Sequence, residues 1–116
     1  MKNYTLLFIL FISGSMACAQ DKVDKFCQVI VAPKNGLSTK RVSRISFGEN
    51  KWLFTPKDTT LISKLNYVNS LTTETDVLNY MAKLGWSLVN VHAGNFYTLQ
   101  EVFYFKKTFD ASEFMQ

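Results

Sequence analysis

One segment, residues 72–85, has the complete pattern of an amphipathic helix and limits how the rest of the chain can fold. Thr72 or Thr73 is the candidate N-cap, and Thr73 together with Asp76 forms a variant of the capping box. Gly85 stands where a left-handed residue commonly ends a helix. We therefore expect a helix over about residues 73–84. Four apolar residues recur at helical spacing and predict its buried face: Val77, Tyr80, Met81 and Leu84.

The segments before this helix are predicted to form strands. Residues 26–32, FCQVIVA, are apolar and β-branched, and they predict a strand that is buried on both faces. Residues 39–48, TKRVSRISFG, predict a second strand, and because its apolar positions do not alternate cleanly, we expect an edge strand or a bulge. Residues 51–55, KWLFT, predict a short third strand that stops at Pro56. Residues 57–70 fit either a strand or a loop that contains one strand, and we assign a strand to about residues 61–68.

The segments after the helix predict a hairpin. Residues 86–93, WSLVNVHA, are its first strand, and residues 96–107, FYTLQEVFYFKK, return beside it. Gly94 and Asn95 between the two strands have the composition of a two-residue hairpin loop. Such a loop fixes which residues of the two strands face each other.

The order of these elements indicates the fold class. Hydrophobic residues make up 47% of the 116-residue chain, which is enough for one domain with one core. Runs of strands with a single amphipathic helix are typical of an antiparallel sheet covered on one face. We expect an α+β fold: a single small domain over residues 26–110, with an antiparallel sheet of about four to five strands and one helix packed on one face.

The N-terminal residues are typical of an export signal. Lys2 supplies a positive charge, and residues 6–12, LLFILFI, are an unbroken apolar run that small residues follow. This run is far shorter than the roughly 20 residues that a membrane-spanning helix needs. We expect residues 1–19 to be a signal peptide that is removed and residues 20–25 to be a short tether. The mature protein is then expected to be periplasmic or extracellular.

The residues around Cys18 fit two alternative processing routes. The sequence Ala17-Cys18-Ala19 fits a small-x-small cleavage site, with the cut before Gln20 and no lipid attached. The residues from Ser15 to Cys18 alternatively resemble a bacterial lipoprotein signal, in which Cys18 is acylated and anchors the protein to the outer membrane. We expect plain secretion, because the small-x-small pattern is met in full, whereas Ser15 stands where the lipoprotein signal normally has an aliphatic residue.

Residues 78–89, LNYMAKLGWSLV, join the helix to the next strand through Gly85 and Trp86, and residues 104–107, YFKK, end the last strand. This combination resembles small bacterial domains of unknown function that share a helix, a Gly-Trp junction and a final strand with an aromatic-lysine pair. That family commonly has Glu after the Trp, where this chain has Ser87.

Phe26-Cys27 and Phe47-Gly48 carry a second resemblance. They resemble the first strand and a later turn of small exported proteins of Gram-negative bacteria. Both resemblances imply an exported α+β domain, and neither implies an active site.

Two residues that can signal chemistry are expected in the core instead. Trp86 directly follows the end of the helix, and we expect its ring to fill the seam between the helix and the sheet. Cys27 has no partner cysteine on either processing route of Cys18, and we expect it to be a buried small hydrophobe.

The residue pattern does not favour an enzyme. His92 is the only histidine, and a histidine base needs a carboxylate or a nucleophile beside it. With a two-residue loop, His92 faces Tyr97, and Glu101 lies about 13 Å away at the rise of a strand. The sequence has no second histidine or cysteine pair for zinc and no glycine-rich phosphate loop. We predict no catalytic residue, no cofactor and no metal site, with a small hydrolase as the remaining catalytic alternative.

Basic residues are concentrated between Lys34 and Lys57. One interpretation is an edge strand whose Lys and Arg side chains prevent sheet-to-sheet aggregation. The other is a shallow site for an anionic partner, in which arginine makes bidentate contacts and Trp52, on the same side of its predicted strand as Phe54, gives a stacking surface. The candidate binding residues are Lys40, Arg41, Arg44, Lys51 and Trp52.

These observations limit the function classes. A net charge of +4 supports solubility and is too mild for a typical nucleic-acid-binding protein. We expect a non-catalytic interaction module in the cell envelope, whose partner is a protein or an anionic glycan. The alternative is a structural or accessory protein that acts through self-association, for example as a homodimer through an edge strand. Contact with a membrane is expected only if Cys18 carries a lipid.

Overall fold

Four antiparallel strands form one sheet in the computed structural model, which describes residues 21–35, 40–94 and 99–115. The strand order is β2-β1-β4-β3, so that β1 and β4 are central and β2 and β3 are edges. Two helices pack on one face, which confirms the predicted α+β class. The elements are β1 (Lys22–Pro33), β2 (Arg41–Ser46), α1 (Thr59–Asn66), α2 (Glu74–Lys83), β3 (Ser87–Ala93) and β4 (Glu101–Asp110).

The pairing of β1 with β4 decides which face of the sheet is buried. In their register Cys27 lies opposite Phe105 and Val29 opposite Phe103, so these residues share the face that the helices cover. Phe26, on the other face, is 55% exposed. The expectation that β1 is buried on both faces is therefore wrong, because both helices lie on the same side.

Helix α2 has the predicted caps and the predicted buried face. The Thr73 hydroxyl accepts a hydrogen bond of 3.2 Å from the Asp76 N–H, and Gly85 has a φ of +89°. The Trp86 N–H donates to the Met81 carbonyl at 2.9 Å, which completes a Schellman motif at the C-terminus of the helix. Val77 and Met81 are fully buried, whereas three partly buried residues flank them: Leu78, Tyr80 and Leu84.

A second helix occupies the segment that the sequence assigns to a strand, so the prediction for residues 61–68 is wrong. The Asp58 side chain accepts a hydrogen bond from the Thr60 N–H at 3.0 Å and caps the N-terminus of α1. Leu61 and Leu65 then follow at helical spacing and pack against the core. The β-branched residues of this segment favour a strand, but the cap and the spacing of the apolar residues stabilise a helix.

The prediction of a third strand over residues 51–55 is also wrong, because Lys51–Leu53 form a short 3-10 turn. The turn directs the Phe54 ring into the core, where it stacks on Phe47 with centroids 4.8 Å apart and meets Phe114 edge-on at 5.4 Å. Residues 51–55 therefore connect β2 to α1 and add no strand to the sheet.

The domain is longer at both ends than the predicted boundaries of residues 26–110. Strand β1 begins at Lys22, and the Thr108 hydroxyl donates a hydrogen bond of 2.6 Å to Asp24, so residues 22–25 belong to the sheet and not to a tether. At the other end, Phe114 is 4% exposed and lies in the core. The expected signal peptide, Cys18 and Gln20 lie outside the described residues.

The register of β3 and β4 differs from the prediction. His92 faces Val102 and Ala93 faces Glu101, so the connection between the two strands is longer than two residues. Leu99, near the end of this connection, has a φ of +54°. The predicted loop residue Asn95 and the predicted partner Tyr97 lie outside the described residues. The observed register places Val91 beside Phe103 on the helix-covered face, which the predicted register would not do.

Trp86 fills the seam between α2 and the sheet, as the sequence predicts. It is 3% exposed, and its ring packs edge-on against Phe109 at 5.8 Å and near Phe54 at 6.5 Å. These contacts join the end of the helix to the end of β4.

We predict that Trp86→Ala lowers the free energy of unfolding by about 3 to 5 kcal/mol, the usual cost of emptying a large aromatic site in a core. Trp52→Ala is the matched control, because Trp52 is 73% exposed, and it should change the stability by less than about 0.5 kcal/mol. Chemical denaturation of both variants measures the difference. Equal effects of the two substitutions would contradict the assignment of Trp86 to the core.

Candidate interaction surface

Strand β3 is an edge strand in which every residue is exposed. Three of its seven residues are large and apolar, with Leu88 at 44%, Val89 at 55% and Val91 at 43% exposure. Its sequence, SLVNVHA, contains no Lys, Arg, Asp, Glu or Pro. Natural sheets commonly protect an edge with those residues, because an edge presents unpaired backbone groups to other strands. The edge at β3 lacks this protection.

A bulge at Val89 arranges the apolar residues of this edge. Leu88 pairs with Phe105 and Asn90 pairs with Tyr104, so Val89 is one extra residue between them. Leu88 and Val91 consequently lie on the same face of the sheet, although three positions separate them. They extend the apolar helix-covered face of the sheet outward to its open edge.

The opposite face of β3 carries Asn90 and His92, which both lie beside Tyr104. The His92 ring stacks on the Tyr104 ring with centroids 5.5 Å apart. Glu101 pairs with Ala93, the neighbour of His92, and so lies on the other face of the sheet. His92 and Glu101 therefore lie on opposite faces of the sheet. The predicted register instead separates them by distance along the strands.

Strand β2, the other edge, is shielded. The Ile45 N–H donates a hydrogen bond of 2.9 Å to the Asn69 side chain, and the 3-10 turn Tyr67–Ser70 packs against the strand. Arg41 and Arg44 add positive charge to this edge. The prediction of an edge strand within residues 39–48 is confirmed, and the two edges of the sheet differ sharply in their exposure to a further strand.

The structure separates the two arginines of the predicted anion site. Arg41 lies on the helix-covered face, where its Nε is 2.6 Å from a carboxylate oxygen of Glu74 in α2. Arg44 pairs with Ile30 and points to the opposite face. Each arginine therefore faces a different environment, and one ligand does not reach both from one side of the sheet.

The remaining candidate residues also lie in separate parts of the structure. Lys51 and Trp52 are exposed on the 3-10 turn after β2, whereas Phe54 is 8% exposed, so the expectation that Trp52 and Phe54 share one side is wrong. Lys40 and Arg41 instead lie with Lys34 around a cavity of about 530 Å³ near the N-terminus of α2. The structure thus brings together two of the five predicted binding residues.

Cys27 is a buried, free thiol, as the sequence predicts. Burial raises the pKa of the Cys27 thiol to about 12. The nucleophilic thiolate is therefore disfavoured at neutral pH, which fits a structural role in the core.

Two further observations concern metal sites and membrane-spanning helices. Residues 21–35, 40–94 and 99–115 contain no group of three or more His, Cys, Asp or Glu placed to hold a metal ion. No helix within these same ranges has the length and apolar character to cross a membrane.

The open edge at β3 is the feature that sequence reasoning missed. The lack of charge in SLVNVHA is visible in the sequence, and the strand itself is predicted. Its place at the edge depends on the pairing of β1 with β4, which joins the two ends of the chain and leaves no local signal.

No family model, curated protein or solved structure matches the chain. The family resemblance based on residues 78–89 and 104–107 stays a prediction. The interaction surface is assigned from the exposure, register and charge of its own residues.

Proposed function

We propose that this protein is an exported, non-catalytic interaction module that acts by pairing a strand with the open edge at β3. The observation that supports the proposal is the contrast between its two edges: β2 is charged and covered, whereas β3 is uncharged and exposed along its whole length. Backbone N–H and C=O groups at such an edge bind an extended segment, and the alternate side chains give specificity.

The partner that β3 fits best is a second copy of this chain. An antiparallel pair centred on Val91 places Val91 opposite its equivalent and Asn90 opposite His92. Asn90 and His92 then meet on one face of the sheet, and the two copies of Val91 meet on the other. No like charges oppose each other in this pair. A two-fold axis relates the copies, so the contact is closed and does not propagate into fibres.

The apolar residues of the edge add to this pairing. Leu88 and Val91 both lie on the helix-covered face, and in the pair Val91 meets its equivalent in the second copy, whereas Leu88 lies opposite Gly94. Burial of their exposed surface contributes roughly 25 cal/mol per Å² to association. The alternative occupant of this edge is an extended segment of a different protein, which a chain that stays monomeric would favour.

We predict that the domain from residue 21 onward forms a concentration-dependent dimer, which sedimentation velocity measures directly. Val91→Lys places like charges at the centre of the pair and should leave the protein monomeric. Val42→Lys is the matched control, because Val42 is an exposed valine on the other edge, with 37% exposure against 43% for Val91. It should leave the dimer intact.

Two results would count against the second copy as the partner. One is a monomer at every concentration tested. The other is equal loss of the dimer in the Val91 and Val42 variants, which would place the contact elsewhere.

A second candidate function is the binding of an anionic glycan at the cavity of Lys34, Lys40 and Arg41. The observation that favours it is the concentration of three cationic residues around one cavity of about 530 Å³. Glu74 neutralises part of this charge through its ion pair with Arg41. Lys34 and Lys40 line the same cavity.

We predict for this second candidate that binding to an acidic polysaccharide weakens with salt, because exposed charges are screened beyond a Debye length of about 8 Å at physiological ionic strength. The double variant Lys34→Gln/Lys40→Gln should lose binding. Lys51→Gln/Lys57→Gln, with the same change in net charge, should keep it. Equal binding by the two double variants would exclude the cavity as the site.

A further inference from the structure

We infer that a cleft on the helix-covered side of the sheet binds a small organic anion with an apolar body. The cleft has a volume of about 320 Å³ and lies between α1, the C-terminal end of α2, the end of β4 and the residues that follow β4. This volume is at the small end of the roughly 300–1,000 Å³ that is typical of ligand sites. None of its lining residues belongs to β3, so the inference does not depend on strand pairing.

The inner wall of the cleft is apolar. It is formed by Leu61 of α1, Leu84 at the end of α2, and the rings of Phe109 and Phe114. Phe109 and Phe114 are 6% and 4% exposed, and their rings meet edge-on with centroids 4.9 Å apart. These two rings are part of the core, so they present a fixed surface on which a hydrocarbon or aromatic group packs.

Lys107 holds an ammonium group in a fixed position at this wall. Its Nζ donates a hydrogen bond of 2.8 Å to the Leu84 carbonyl and lies 5.0 Å from the centre of the Phe109 ring. Its stem passes close to Gly85, where an added Cβ would be 3.3 Å from the Lys107 Cε. An ammonium has three donors, and the Leu84 carbonyl uses one of them. The remaining donors are therefore available to an acceptor in the cleft.

Two further lysines, Lys64 and Lys83, stand at the rim. Each belongs to the last turn of its helix, and neither makes an ion pair with another of the described residues. Together with Lys107 they surround the cleft with three ammonium groups that approach it from three different elements.

The two carboxylates at the rim are engaged in capping. Asp58 accepts hydrogen bonds from the Thr60 hydroxyl at 2.6 Å and from the Thr60 N–H at 3.0 Å, and these bonds lower the pKa of the Asp58 carboxyl. Glu113 accepts a hydrogen bond of 2.8 Å from the Asp110 N–H. Both carboxylates keep their negative charge, and three lysines against two carboxylates leave the lining with a net charge of +1, so the charge that complements it is negative.

The apolar wall and the lysines around it together indicate the chemistry of the ligand. An apolar wall with a fixed ammonium at its border fits a carboxylate attached to a small aromatic or short aliphatic group. The probe is 3-phenylpropionate, which joins a phenyl ring to a carboxylate. Its neutral analogue 3-phenylpropan-1-ol retains the ring without the charge, and acetate retains the charge without the ring.

The experiment follows the backbone amide signals of the ¹⁵N-labelled protein from residue 21 onward during titration with each compound. We expect 3-phenylpropionate to shift the amides of Lys83, Leu84 and Lys107, whereas the alcohol and acetate bind more weakly. Lys83→Gln should weaken binding by about two- to fivefold, the range expected for loss of one exposed ion pair. Lys106→Gln is the matched control, because Lys106 neighbours Lys107 on β4 but points to the opposite face of the sheet.

Three results would overturn the inference. The first is no shift of the cleft amides at saturating concentration of the probe. The second is equal affinity for the acid and for the alcohol, because the lysines would then contribute nothing. The third is equal weakening by the Lys83 and Lys106 substitutions, which would reflect net charge and not the cleft.

Discussion

The pairing of β1 with β4 is the interaction on which the rest of the structure depends. It joins the two ends of the domain over ten residue pairs, from Lys22 with Asp110 to Val31 with Glu101. Because it places Cys27 and Val29 beside Phe105 and Phe103, it also decides which face α1 and α2 cover. Both strands are then central, and β2 and β3 become the edges of the sheet. The candidate interaction surface is a direct consequence of this arrangement.

The two edges differ in how they manage their free backbone groups. At β2, the Asn69 side chain and the turn beside it occupy the edge, and arginines add charge. At β3, every residue is exposed, and three of the exposed side chains are large and apolar. A long, exposed and uncharged edge is an aggregation hazard unless a partner covers it. A closed two-fold pair removes that hazard, and this supports strand pairing as the function of β3.

Local signals in the sequence were sufficient for some elements and insufficient for others. Helix α2 is predictable because its N-cap, its apolar spacing and Gly85 lie within one segment. Helix α1 is missed because its β-branched residues outweigh the Asp58 cap in a local assessment. The hairpin register is missed because it depends on a connection longer than two residues. The placement of Arg41 and Arg44 on opposite faces, in contrast, follows from the period of two in β2 and is predictable from the sequence. The cleft lysines come from three distant segments that only the tertiary structure brings together.

Hydrogen exchange of the backbone amides in β3 tests the central claim most directly, because it reports whether a second strand covers this edge. We expect that the β3 amides between Val89 and Ala93 that do not donate to β4 gain protection as the protein concentration rises, whereas protection of the Ile45 amide, which already donates to Asn69, stays constant. The rise should be absent in Val91→Lys. Exchange of the β3 amides at one rate over the whole concentration range would contradict the claim that a second copy completes the sheet.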